Sequence, residues 1–169
     1  MIALALTLAL AAPAPAQVAD PLAPARAGRL QCHLPDAARR TCAGLAGYRF
    51  AADGTIVNWY EALADAETMM IVRDEQPAVV RDGAVCSRLS DFRHAVVTVG
   101  GEPAHPALDA VLRERLAASY AELGTESCVR FAPQGDHWRV ETTIDGRRRP
   151  ELDQTMIWVS PQDGYVVGP

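Results

Sequence analysis

Two patterns of apolar positions divide this chain. One is helical, and it occurs once at length. Across Pro106–Leu123, the residues Leu108, Val111, Leu112, Leu116, Tyr120 and Leu123 recur at three- and four-residue spacing and predict one amphipathic helix. Pro106 suits its first position, where a missing N–H leaves nothing unpaired. Asp109 sits in the first turn, where the helix dipole favours negative charge. Gly124 follows the last apolar residue and predicts a left-handed cap. The other pattern is alternation with period two. Trp138, Val140, Thr142 and Ile144 point one way, and Arg139, Glu141, Thr143 and Asp145 the other, which predicts a half-buried antiparallel strand with one wet face.

Turn signals punctuate several further strand-like runs. Asp53-Gly54 divides Tyr48–Leu63, Asp82-Gly83 separates Ala78–Val80 from Ala84–Cys86, and Asp145-Gly146 ends the alternating strand. Thr68–Val72, Val96–Val99, Cys128–Phe131 and Met156–Val159 also read as strands, with Glu75-Gln76-Pro77 as a break and Tyr165–Val167 pairing back. Pro35–Arg40 reads as one or two helical turns, and Ser90 as the cap of another. One long helix among many hairpins argues against a parallel βαβ fold. The expected class is α+β: an antiparallel β-sheet of several hairpins packed against one main helix (106–123) and stapled by disulfides.

The start of the chain differs in character. Residues 1–16 carry no charged side chain and run apolar to Ala12, too short to span a bilayer, and Ala14-Pro15-Ala16 offers the small residues of a signal-peptidase site. Cleavage is expected after Ala16, near the start of a Pro- and Ala-rich tail over 17–31, with a single domain over 32–169. No cysteine follows the cleavage site, so no lipid anchor is indicated.

Composition narrows the partners. The net charge is −5, and all sixteen basic residues are Arg. An acidic balance argues against nucleic acid, and the absence of Lys removes Schiff-base chemistry. Four cysteines in an exported chain imply two disulfides, for which Cys32–Cys42 and Cys86–Cys128 are favoured over the other pairings. A metal site of Cys32, His33 and Cys42 fits no zinc spacing.

Catalytic motifs are sparse. There is no G-x-S-x-G elbow and no H-E-x-x-H, and His33, His94, His105 and His137 read as surface or capping residues. No catalytic or metal-ligating set and no cofactor is assigned. Asp136-His137 beside Trp138 is the one candidate acid/base pair, although Asp136 is also what a turn prefers. Arg147, Arg148 and Arg149 form a basic loop able to grip an anionic partner. Gly100–Leu116, with Leu108-Asp109 and the later Phe131-Ala132-Pro133, loosely resembles the C-terminal periplasmic domain of TonB-type energy transducers. The likeness covers a few positions and lacks that family's serine-serine-glycine turn, so no membership follows from it. The expectation is an exported envelope or periplasmic protein, a non-catalytic binding module for a protein or small molecule. A small secreted hydrolase and a secreted inhibitor are the alternatives. No transmembrane segment is expected after the leader.

Overall fold

Asp82-Gly83 and Asp145-Gly146 each join neighbouring antiparallel strands with both central residues at positive φ. This mirror-image turn matches the twist of the strands it connects, which is why Asp-Gly marks it in the sequence. The structure, a computed structural model, describes residues 20–169. The proposed signal peptide lies outside them.

The elements follow in chain order. A short helix α1 (Ala23–Arg26) precedes strands β1 (Leu30–Asp36), β2 (Thr41–Phe50), β3 (Ile56–Asp65), β4 (Met70–Arg81) and β5 (Ala84–Arg88). Two short strands, β6 (Val96–Val99) and β7 (Glu102–Pro103), lead to helix α2 (Pro106–Leu123). Then come β8 (Glu126–Gln134), β9 (His137–Ile144), β10 (Arg147–Arg148), β11 (Gln154–Val159) and β12 (Val166–Val167).

Pairing runs β1-β2-β3-β4-β5-β8-β9-β11 and returns to β1, antiparallel at every step. Eight strands in chain order thus close an up-and-down barrel, which leaves no free edge. This overturns the expected α+β sheet on a main helix. The helix has the predicted bounds, yet none of its residues is fully buried, and Leu108 and Val111 are about half exposed. The sheet buries one face by closing on itself, so the helix is an insertion between β5 and β8 rather than the second layer.

Three local expectations are corrected too. Pro35–Arg40 is the end of β1 and its turn into β2, not helix. Glu75-Gln76-Pro77 does not break β4. There β4 pairs with β6 only over Met70–Arg73 and with β5 only over Ala78–Arg81, so Pro77 falls where that side has no ladder to interrupt. Gly124 is not left-handed: its φ of +146° and ψ of −159° are glycine-only backbone, and a Cβ there would run into the Asp145 carboxylate. That carboxylate accepts from the N–H groups of Thr125 and Glu126 and draws the chain straight from helix into β8.

Register fixes what faces inward, because directly opposed residues share a face. Starting from Gln31, the opposed pairs lead through Ala46 and Tyr60 to Asp74 in one direction and to Trp158 in the other. A second series joins Tyr48, Asn58 and Gln76, and a third Ser87 and Ser127. The alternating strand β9 turns Val140, Thr142 and Ile144 inward, as its pattern predicts.

One end of the barrel is closed. Leu22, fully buried, and Ala25 of α1 pack on Ala78 and Val85, with Tyr48, Phe50, Ile56, Phe131 and Trp158 around them. The described part of the 17–31 segment therefore supplies the barrel's floor. A second cluster joins α2 to the other end, where Leu112, Leu116 and Tyr120 pack on Val72, Phe92, Ala95 and Val97. Outward positions carry ion pairs such as Arg49–Glu75 and Arg73–Glu61, in place of the apolar band a lipid-facing barrel presents. Among the described residues, no helix is long and apolar enough to cross a membrane.

Candidate functional site: the barrel lumen

Inward-facing residues above the floor do not fill the barrel. They line a cavity of about 460 Å³ that opens to solvent, bordered by Gln31, His33, Tyr48, Asn58, Tyr60, Gln76, Ser87, Ser127 and Gln154 together with Ala46, Ala62, Val85, Val129, Phe131 and Val140. Gly44, opposite His33, and Ala46 leave room where larger side chains would fill it. The wall therefore grades from aromatic and aliphatic near α1 to uncharged polar above.

Two carboxamides in this wall are incompletely bonded. The Gln31 Nε2 and Gln76 Oε1 atoms are buried and have no hydrogen-bond partner among the described residues, and Gln31 is only 2% exposed. The Gln31 Oε1 takes a long contact from the Tyr48 hydroxyl, 3.5 Å. Buried amide groups without partners are costly, and they are found where water or a ligand completes them. His33 faces the same space, with Nδ1 3.1 Å from Gln154 Oε1. Its ring is partly reachable from the cavity yet lies deep in the fold. That burial pulls its pKa down to about 4, against which the Gln154 bond acts weakly. His33 is thus neutral near pH 7, and with the Gln154 oxygen toward the ring its Nδ1 donates and Nε2 is left as an acceptor.

At the end nearest α2 the wall becomes a small network. Ser90 donates to the buried carboxylate of Asp74 and accepts from the Phe92 N–H at 3.0 Å. Phe92 holds φ +56°, an uncommon angle for an aromatic residue, with its ring edge-on to Tyr120 at 4.6 Å. Burial, with Asp74 and Tyr120 nearby, pushes the Tyr60 phenol above its usual range, and burial does the same to Tyr120. On the far side of this network an outer cleft is bordered by Asp74, Glu75, Asp91, Glu126 and Asp145. Most of these acids are already engaged: Glu75 with Arg49, Asp91 with Arg93 and Glu126 with Arg81.

Apart from His33, the residues singled out from sequence lie elsewhere. Cys32 bonds Cys42 across the β1–β2 hairpin, and Cys86 bonds its directly opposed partner Cys128. Glu126 adjoins that second disulfide in a ligand-like cluster, but both sulfurs are already bonded. Cys32 packs with Leu45, Ile157 and Val159 on the outer face, while His33 faces the lumen, so the three candidate ligands of a Cys32–His33–Cys42 site do not converge. Asp136 and His137 do touch, 3.0 Å apart, on the β8–β9 turn. The Asp136 side chain is almost wholly exposed, and neither residue lines the lumen or the outer cleft. Of the three arginines, Arg148 is clamped to Asp153 and Arg149 to Glu151, leaving Arg147 without an ion-pair partner among the described residues. Arg148, the Thr142 N–H and Arg139 together hold the Asp153 carboxyl well below the usual range.

Sequence reasoning missed Gln31, Asn58, Tyr60, Asp74, Gln76 and Gln154. The available signal was a contrast of faces. In β4 the charged Arg73, Glu75 and Arg81 alternate with Val72, Asp74, Gln76 and Ala78, a polar-out pattern whose inner side is not purely apolar.

The fold and cavity define a closed eight-stranded up-and-down barrel with a hollow interior, apolar over much of its wall and studded with uncharged polar side chains. No protein-family model, curated protein or solved structure matches the chain.

Proposed function

We propose that this protein is an exported binding protein that holds one small organic molecule inside its barrel, without transforming it. The observation that carries the reading is the open-mouthed cavity of about 460 Å³ with unpartnered carboxamides in its wall. That volume lies within the usual range for small-molecule sites, and an eight-stranded barrel is wide enough for one such ligand. Two disulfides favour an oxidising compartment, in keeping with the leader-like start of the sequence. Asp136–His137 stands apart from the lumen and the outer cleft, which gives no support to a hydrolase, and Arg148 and Arg149 are engaged by Asp153 and Glu151, which gives little to an inhibitor.

The test is a fluorescence titration of the mature protein with N-phenyl-1-naphthylamine, a neutral aromatic probe, compared with Gly44→Leu. A Cβ at Gly44 meets only ordinary contacts, Glu61 O at 3.5 Å and His33 Cβ at 3.7 Å, so the variant fills the lumen without backbone strain. Saturable one-to-one binding by the wild type, weakened roughly tenfold or more by Gly44→Leu, supports the reading. Equal binding by both proteins, or none by the wild type, refutes it.

A further inference from the structure

We propose that the lumen selects neutral ligands bearing an amide-type group, one hydrogen-bond acceptor beside one donor, over carboxylates and amines of the same shape. This rests on the binding reading above and names the chemistry of its ligand.

The first ground is charge. Among the inward-facing residues of the barrel strands, only His33 and Asp74 are candidates to carry charge near neutrality. His33 is held neutral by burial. Asp74 is already hydrogen-bonded by Ser90 and lies at the boundary with the outer cleft. Glu61 also borders the cavity, but it is paired with Arg73. Among the described residues no arginine lines the lumen, so an entering carboxylate would lose its hydration and find no cation there. An ammonium group would need Asp74, whose carboxylate belongs to the Ser90–Tyr60 network rather than to the cavity wall.

The second ground is the two unfinished carboxamides. Gln31 stands on β1 and Gln76 on β4, three strands apart around the barrel, so they border the cavity from different sides. One leaves a donor unsatisfied, the other an acceptor. Each carboxamide carries both kinds of atom, so turning either amide over exchanges the roles without removing the demand. Both atoms are closed off even to water as the side chains stand, so each carboxamide must turn toward the lumen to be met, and a ligand with a carbonyl-type oxygen and an N–H or O–H then answers both. The neutral Nε2 of His33 offers a further acceptor to the same donor. The apolar wall formed by Val85, Val129 and Phe131 takes the remainder of the molecule.

The experiment uses one skeleton with three head groups. 2-Naphthamide, 2-naphthoate and 2-naphthylmethylamine are titrated calorimetrically into the mature protein at pH 7.5, and each then competes with N-phenyl-1-naphthylamine. The expected order places the amide roughly tenfold or more ahead of both ions. Gln31→Leu and Gln76→Leu should each erase most of the amide-to-carboxylate ratio. Near-UV circular dichroism checks their folding, and if one variant is unfolded the other carries the test. Equal or tighter binding of the naphthoate or the amine overturns the selectivity, as does an amide preference that survives both substitutions. If the probe binds the wild type without any amide preference, the selectivity alone fails. If neither the probe nor the amide binds, the binding reading fails and the selectivity with it.

Discussion

His33 is the residue whose chemistry the fold alters most legibly. Its folded pKa of about 4 lies below the ordinary imidazole value of 6.5. The unfolded chain therefore takes up a proton first as pH falls. Above about pH 6.5 the ring is neutral in both states and costs nothing. Between 6.5 and 4 protonation favours unfolding, and stability should drop on the order of 1–2 kcal/mol by pH 5. Urea unfolding at pH 7.5 and pH 5 should show this loss in the wild type, and His33→Gln should remove most of it. An unchanged loss in the variant would place the pH sensitivity elsewhere. The carboxylates tied by hydrogen bonds, Asp36, Asp145 and Asp153 among them, are held below their ordinary values, so their contribution is lost at still lower pH. None of the importance of His33 was visible in the sequence. Gln31-x-His33 looks like an ordinary polar alternation next to a cysteine, and only closure of the barrel turns those two side chains into lumen.

Elements were read more successfully than their roles. Pro106 and Gly124 bracket α2 correctly because proline and glycine act locally, through a missing N–H and a missing Cβ. Its partner surface was not readable, since Leu112, Leu116 and Tyr120 rest on Val72, Phe92 and Val97, which belong to other parts of the chain. The short α1 fell within the segment expected as a tail. Its four residues give no periodicity, yet Leu22 at its start is fully buried in the floor. Leu22→Ala should cost about 3 kcal/mol in urea unfolding, the usual penalty for truncating a buried leucine. A change near zero would mean that α1 does not close the barrel. The disulfides should also rank. By loop-closure entropy, replacing both cysteines of the ten-residue Cys32–Cys42 link costs about 3 kcal/mol, and of the 42-residue Cys86–Cys128 link about 4. Chemical denaturation of the two double alanine variants measures the order.

For the molecule as a whole, the decisive feature is the pairing of β1 with β11, which joins Leu30 to Val159 and converts a meander into a barrel. No local pattern announces a contact between strands so distant in sequence. The hairpins and the alternation in β9 were accessible from local pattern, and both are equally compatible with an open sheet. Closure also explains why the hydrophobic pattern looked incomplete. A filled core would demand apolar residues at Asn58, Tyr60, Gln76 and Gln154, whereas a hollow one uses uncharged polar groups there. The same feature makes the central claim testable by position. Two-dimensional amide NMR of the uniformly ¹⁵N-labelled mature protein, titrated with N-phenyl-1-naphthylamine, reports where the probe sits. Binding in the lumen predicts saturable shifts concentrated at Gln31, Gly44, Ala46, Asn58, Gln76 and Ser127. Shifts centred instead on the exposed apolar residues Val79, Leu108, Val111 and Val166, with those six unmoved, would show adsorption to the outer surface and contradict the account.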